Sequence, residues 1–152
     1  MRKKSLASLL LYIFPCVMGS NVNQQVAFQG IEGHVYFVTG NQMPSPDVKP
    51  AKPRGIKATL YIYELTNLNQ VQQQDHSPFY SAIHTKLIKR ANSGKDGYFK
   101  VSLPAGHYSI FVKKDSLFFA NWFDGDNNIA PVKVMPDSTS EVKIKVDYSA
   151  SY

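Results

Sequence analysis

The chain has 152 residues, of which 43% are hydrophobic and 18% charged, with nine tyrosines and nine phenylalanines. This length fits one domain, and the apolar content excludes a globally disordered chain. The formal charge of +6 falls to +3 once Arg2, Lys3 and Lys4 are set aside, because residues 1–19 hold no acid, and the case for nucleic-acid binding weakens with it.

"MRKK" is a basic start, "SLASLLLYIFPCVM" is an apolar run too short to span a bilayer comfortably, and "VMGS" supplies short residues before a cut after Gly19. The pattern predicts a secretory signal peptide over 1–19 and a short linker over 20–29. The expected location is therefore the periplasm or the cell exterior, with no membrane span. The single cysteine, Cys16, lies in this segment, so the mature chain has no thiol, disulfide or cysteine-based metal site. A lipid-modified Cys16 is the competing reading, which Pro15 opposes, since lipoprotein processing prefers a small residue there.

The first strand is predicted at Gly30–Gly40, with Ile31, Val35 and Phe37 on one parity and Glu32 and His34 on the other. Four prolines between Pro44 and Pro53 predict an exposed loop or edge cover and not a helix or central strand, because proline lacks a ladder donor and fixes φ. Ile56–Thr66 alternates, with Ala58, Leu60 and Ile62 on one face. Asn67–Phe79 reads as a polar loop. Tyr80–Ser93 fits either a short helix face or one strand, and the all-β surroundings favour the strand. Asp96-Gly97 signals a turn, and Phe99, Val101 and Leu103 then face inward. Pro104–Gly106 is expected to turn the chain as a hairpin, with Gly106 free to take positive φ. Tyr108, Ile110 and Val112 follow on the inner face, with His107, Ser109 and Phe111 outward. Two strands close the chain, "APVKVM" and "SEVKIKVDYS", the latter with Val142, Ile144 and Val146 inward and Lys143, Lys145 and Asp147 outward. About seven strands with regular turns and no convincing helix predict an all-β, antiparallel Greek-key sandwich. The domain spans 30–148, and 149–152 form a tail.

"DGYFKVSLPAGHYSIFV" resembles the carboxypeptidase regulatory-like domain, a transthyretin-like (prealbumin-like) β-sandwich. The shared features are Asp96-Gly97, Phe99, Leu103-Pro104, Gly106 and Tyr108, with "GIEGHVYF" as first strand and "PVKVMPDSTSEVKIKV" as closing pair. The resemblance implies an accessory or structural module without chemistry of its own, of a kind that bacteria of the Bacteroidetes type secrete in number. It implies an envelope protein or a glycan as partner, and no cofactor. Fold alone does not settle function.

The chemistry expected of an enzyme is missing from the sequence. No histidine is followed three residues on by a metal ligand, as a zinc carboxypeptidase needs. The transthyretin-like hydroxyisourate hydrolases end in a Tyr-Arg-Gly-Ser tail, whereas this chain ends "DYSASY". His34, His76, His84 and His107 fall on outward strand faces or in a loop. There is no Gly-x-Ser-x-Gly elbow and no phosphate loop. "KLIKR" reads as a solvated basic face. No catalytic residue and no metal ligand is assigned.

"FFANWFDGDNNIAPV", Phe118–Val132, is the one stretch that invites a site. Asp124, Asp126 and Asn128 recur at every second residue, as calcium ligands do. Positions six and twelve of an EF-hand starting at Asp124 are Ile129 and Met135, not glycine and glutamate, so that loop type is excluded. Three readings stay open. They are a looser calcium site, a plain Gly-Asp-Asn turn, and a binding tip for sugar or peptide over Phe118–Asp126. In the last, Trp122 and Phe123 stack on the ligand while Asp124 and Asp126 hydrogen-bond to it.

Mass spectrometry of the protein recovered from a secreting host should find a mature N-terminus at Ser20. An N-terminal, lipid-modified Cys16 would replace this with an anchored protein.

Overall fold

Residues 27–43, 46 and 51–152 are described by the computed structural model. The expected signal peptide and most of the proline-rich stretch lie outside them. Among the described residues eleven strands form: β1 (Gly30–Asn41), β2 (Arg54–Gly55), β3 (Thr59–Glu64), β4 (Val71–Gln73), β5 (Phe79–Ile83), β6 (Leu87–Asn92), β7 (Tyr98–Ser102), β8 (Gly106–Lys114), β9 (Leu117–Phe119), β10 (Pro131–Val134) and β11 (Thr139–Ser151). The only helical piece among the described residues is a single 3-10 turn at Leu68–Gln70.

The expected all-β sandwich is what the chain adopts. In sheet A, β1 is central, with β11 on one edge and β7 followed by β2 along the other. Sheet B runs β4-β5-β9-β8-β3-β6, and β10 also pairs with β8. The strand count exceeds the expected seven because several strands are only two or three residues long, below the length at which alternation can be read. One pair departs from the antiparallel expectation: β1 and β11 run parallel, from Gly30 beside Thr139 to Asn41 beside Ser151. Residues 149–151, read as tail, thus belong to a strand. Phe28 and Gln29, read as linker, are also tied in. Phe28 O accepts from Thr139 Oγ1, and the Gln29 amide bridges Leu103 O and the Asp137 N–H.

Between the sheets lies the main core: Ile31, Val35, Leu60, Ile62, Phe99, Val101, Ile110, Val112, Phe119, Val142, Ile144 and Val146 are all buried. Alternation predicted these faces correctly on β1, β3, β7 and β11. Burial of such side chains contributes about 1.5–3 kcal/mol each.

Three expectations fail for reasons of tertiary structure. First, Tyr98–Ser102 and Gly106–Lys114 are not a hairpin. Strand β7 pairs with β1 in sheet A, while β8 pairs with β3, β9 and β10 in sheet B. Pro104–Gly106 is the arch between the sheets. Gly106 is not among the positive-φ residues. What its missing side chain permits is the approach of Tyr108, whose Oη would sit 3.2 Å from a Cβ there and donates to Pro104 O at 2.8 Å.

Second, Asn67–Phe79 is not wholly loop, and Tyr80–Ser93 is not one strand. Val71–Gln73 pairs with β5 at the edge of sheet B. His84–Lys86 then break the chain, so that β5 pairs with β4 and β9 while β6 pairs with β3 on the far edge.

Third, Phe111 and Ser109 face away from the main core yet are fully buried. A second cluster covers them, built from Tyr63, Tyr80, Phe111, Ala120, Ile129 and Ala130 with Leu68, Val71 and Phe118 against it. Phe111 meets Tyr63 and Tyr80 edge to face, with ring centroids 5.7 Å apart in both pairs. Burial pushes the Tyr80 phenol up to about 12.

The Asp96-Gly97 turn forms as expected. Gly97 has φ +87, and a Cβ there would lie 2.3 Å from Val35 O, so only glycine fits.

Phe111→Ala should destabilise the protein by roughly 3–5 kcal/mol in urea unfolding, the cost of emptying a buried aromatic site. A loss below about 0.5 kcal/mol, as for a surface residue, would mean that the second cluster does not form.

Candidate functional site

Strands β9 and β10 lie one after the other on the same edge of β8. Phe119 pairs opposite Val112, and Pro131 opposite Ser109. The residues between them must leave that edge and return to it, and they are the stretch that the sequence singled out.

Ala120 is buried, and its N–H donates to Pro78 O. Asn121 then reaches the opposite sheet, where its Nδ2 donates to Asp147 Oδ1 on β11 at 2.6 Å. The return is closed by Ala130 N–H donating to Trp122 O at 2.9 Å and by a single bridge between Phe123 and Ile129. Ala130 and Asn127 take left-handed φ, +42 and +61.

At the tip, Asp124 organises the turn. Its Oδ1 accepts the N–H groups of Asp126 and Asn128, both at 2.9 Å, and its Oδ2 accepts from Asn128 Nδ2 at 2.8 Å. The side-chain amide of Asn128, followed by the backbone donors, holds the Asp124 carboxyl below the usual carboxylate range. Asn67 clamps the turn from outside, its Nδ2 donating to Asp126 O at 2.7 Å, while Leu68 N–H donates to Asn127 O. Both Asp124 oxygens are thus committed to the turn, which favours the plain-turn reading over the calcium one. Among the described residues, no group of three or more His, Cys, Asp or Glu side chains is placed to hold a metal.

The four residues predicted as a site are not brought together as one. Trp122 and Phe123 are both exposed, 37% and 43%. Only Trp122 lines a groove. Phe123, Asp124 and Asp126 stand on the tip outside it. The groove, about 640 Å³, runs along the seam where the outer edge of β10 meets β11 of the other sheet. Asn121, Trp122, Lys133, Glu141, Lys143 and Asp147 supply its main functional groups. Lys133 and Lys143 have no ion-pair partner among the described residues, whereas Lys145 lies 3.4 Å from Asp147. Tyr152 closes this end: its Oη donates to Asp147 Oδ2 at 2.7 Å and accepts from Lys145. That hydroxyl first, and the Asp147 carboxylate after it, hold the Lys145 ammonium above the usual lysine range.

Outward orientation of Lys143, Lys145 and Asp147 was legible in the alternation of β11. Their meeting with Trp122 and Lys133 was not, because it depends on which strand edges lie side by side. The histidines remain dispersed. His34 lies half-buried on sheet A, and His76, His84 and His107 are exposed.

No family model matches the chain, and no curated protein sequence matches it. Two solved structures align with it. One is a Pseudomonas aeruginosa protein provisionally assigned to carbohydrate binding, at 15% identity and a TM-score of 0.43, covering 80% of this chain and 91% of that one. The other is an (S)-allantoin synthase, at 13% identity and a TM-score of 0.31. This chain covers 42% of the synthase, less than half of its length.

The lowered Asp124 pKa means that the ionised carboxylate stabilises the turn above its unfolded pKa, and that this contribution is lost as pH falls through the folded value. The amide resonances of Asp126 and Asn128 should therefore titrate together, below the ordinary carboxylate range. Asp124→Asn should abolish that titration while keeping the turn, and Asp124→Ala should also speed exchange of both amides.

Proposed function

We propose that the chain is a non-catalytic binding module that holds glycan in the groove beside Trp122. The arrangement of polar groups along that groove carries the reading. Two lysine donors without ion-pair partners among the described residues (Lys133, Lys143) stand beside the hydroxyl of Ser140 and the carboxylate of Glu141 next to an exposed indole, while the Asn121–Asp147 bond closes the end of the groove. A phosphate or sulfate group favours donors alone. An apolar peptide helix favours a run of aliphatic side chains. Donors and acceptors together beside an aromatic face suit a ligand with many hydroxyls, each both donor and acceptor, whose C–H faces pack on the ring.

The role we assign is accessory: the module attaches a ligand or a partner at the cell envelope and leaves chemistry to other proteins. The N-terminal pattern of residues 1–19 supports export, and the ordered motif Asp96-Gly97, Phe99, Leu103-Pro104, Gly106, Tyr108 supports kinship with carboxypeptidase regulatory-like domains. A hydrolase of the transthyretin type is disfavoured by the dispersed histidines.

Trp122 is the only indole in the chain, so its fluorescence reports directly on the groove. Titration with envelope and plant-type oligosaccharides should shift that emission. Trp122→Ala should weaken binding by roughly tenfold or more, with Lys133→Ala weakening it in the same direction. Asp126→Ala should leave affinity unchanged. Loss of binding in Asp126→Ala equal to that in Trp122→Ala would move the site to the tip. Purified protein with a hydrolase activity removed by one point mutation would overturn the non-catalytic reading.

A further inference from the structure

The outer face of sheet A carries an aromatic row that the groove does not use. Because Val142, Ile144 and Val146 point into the core, Glu141, Lys143 and Lys145 point outward on β11. In the parallel register, Lys143 lies beside His34 of β1, and Lys145 lies beside Tyr36. On the other edge of β1, His34 lies beside Tyr98 of β7. The His34 and Tyr36 rings are nearly parallel, 14° apart with centroids at 5.7 Å, and the Tyr98 ring lies 5.4 Å from His34. Tyr98 is 40% exposed, and the two other rings are half-buried. Three ring systems thus line a sheet face, and no other strand covers them among the described residues.

This row has polar neighbours of both kinds. Glu32 accepts from Tyr98 Oη at 3.2 Å and pairs with Lys100 at 3.0 Å. Lys100 first, with Tyr98 adding to it, holds the Glu32 carboxyl below the usual range. Glu32 also stands directly beside Glu141 across the β1–β11 pair. Across this face and the groove four lysines (Lys100, Lys133, Lys143, Lys145) stand against three carboxylates (Glu32, Glu141, Asp147), so the charge is close to balanced and favours neither an anionic nor a cationic ligand, and among the described residues no aliphatic patch lies here to receive an apolar one. The face therefore has the same composition as the groove: aromatic rings among mixed donors and acceptors. The two surfaces are continuous, because Lys143 and Lys145 line the groove and also flank His34 and Tyr36.

We propose that the His34–Tyr36–Tyr98 face is a second sugar subsite, joined to the seam groove through Lys143 and Lys145, so that the ligand is a neutral saccharide chain long enough to occupy both. This rests on the groove reading and adds the ligand's charge and length. From Lys143 on β11 to Tyr98 on β7 is two strand spacings, about 10 Å. A mono- or disaccharide seated at Trp122 does not cover that distance in addition to the groove, whereas a longer chain does.

Calorimetry with cellohexaose, maltohexaose, xylohexaose and mannohexaose, their disaccharides, and hexagalacturonate tests this. At least one neutral hexasaccharide should bind about tenfold more tightly than its disaccharide. Each lost ring contact is worth roughly threefold, so the His34→Ala/Tyr98→Ala double variant should remove most of the tenfold gain from length and leave disaccharide affinity unchanged. Tyr98→Phe keeps the ring face and loses only the bond to Glu32, so it should retain the gain and control for local disruption. Thermal unfolding confirms that each variant is folded. A disaccharide that binds through Trp122 with no gain from length overturns the second subsite and leaves the groove reading standing. A gain that survives the double variant overturns it too. Tighter binding of hexagalacturonate than of every neutral hexamer overturns the assignment of charge. Silence of all saccharides, short and long, overturns the groove reading itself.

Discussion

A buried hydrogen bond on the outer face of sheet B organises much of what surrounds the groove. Ser109 and Thr66 are both fully buried, and the Thr66 N–H donates to Ser109 Oγ at 2.9 Å. The carbonyl of Thr66 in turn accepts from Ile129 N–H at 2.8 Å. Two connections far apart in the chain, the one after β3 and the one after β9, are thereby held together over β8. Such a bond contributes about 1 kcal/mol net, but leaving a buried partner unpaired costs about 1–3 kcal/mol. The pairing consequently penalises any arrangement in which one connection shifts without the other. Thr66 Oγ1 is satisfied as well, by Glu64 O and Thr85 Oγ1.

Burial of β8 on both faces follows from this. Ile110 and Val112 face the main core, while Ser109 and Phe111 lie beneath the two connections. With one edge of β8 taken by β3, the other has to serve both β9 and β10. The residues between those two strands are pushed outward, and Asn121 ties them across to Asp147 of the opposite sheet. This tie brings Trp122 to the open seam of the sandwich. The Asp124 turn beyond it is a self-contained hydrogen-bonded unit, whose role is to return the chain to β10.

The seam is also where the parallel pairing of β1 and β11 has its effect. That pairing leaves the second edge of β11 facing β10, and it places the lysines of β11 beside His34 and Tyr36. At the other end of the same strand, Tyr148 packs its ring against Phe37, Phe79 and Phe119, with centroids 5.5–5.6 Å apart, and closes the sandwich there. One strand therefore seals one end of the core and forms a wall of the groove at the seam.

Alternation in the sequence was sufficient to place Ile31, Val35, Leu60, Ile62, Phe99, Val101, Ile110, Val112, Val142, Ile144 and Val146 in one core, and to place the Asp96-Gly97 turn. These are local matters: a period of two and a glycine with φ +87 are properties of a few neighbouring residues. The same pattern placed Phe111 and Ser109 outside, because parity says which face a residue is on and not whether that face is covered. It also took Pro104–Gly106 for a hairpin, since a turn that reverses the chain looks the same whether the next strand joins the same sheet or the opposite one. In the singled-out stretch, Trp122 was picked out for its composition, but Lys133, Glu141 and Asp147 were not joined to it. Amino-acid order by itself determined the core-facing side chains of the longer strands and the Asp96-Gly97 turn. Tertiary structure alone decided which strands are neighbours, and so where the seam opens and which side chains meet there, because pairing between distant segments is a competition among edges that no local window contains.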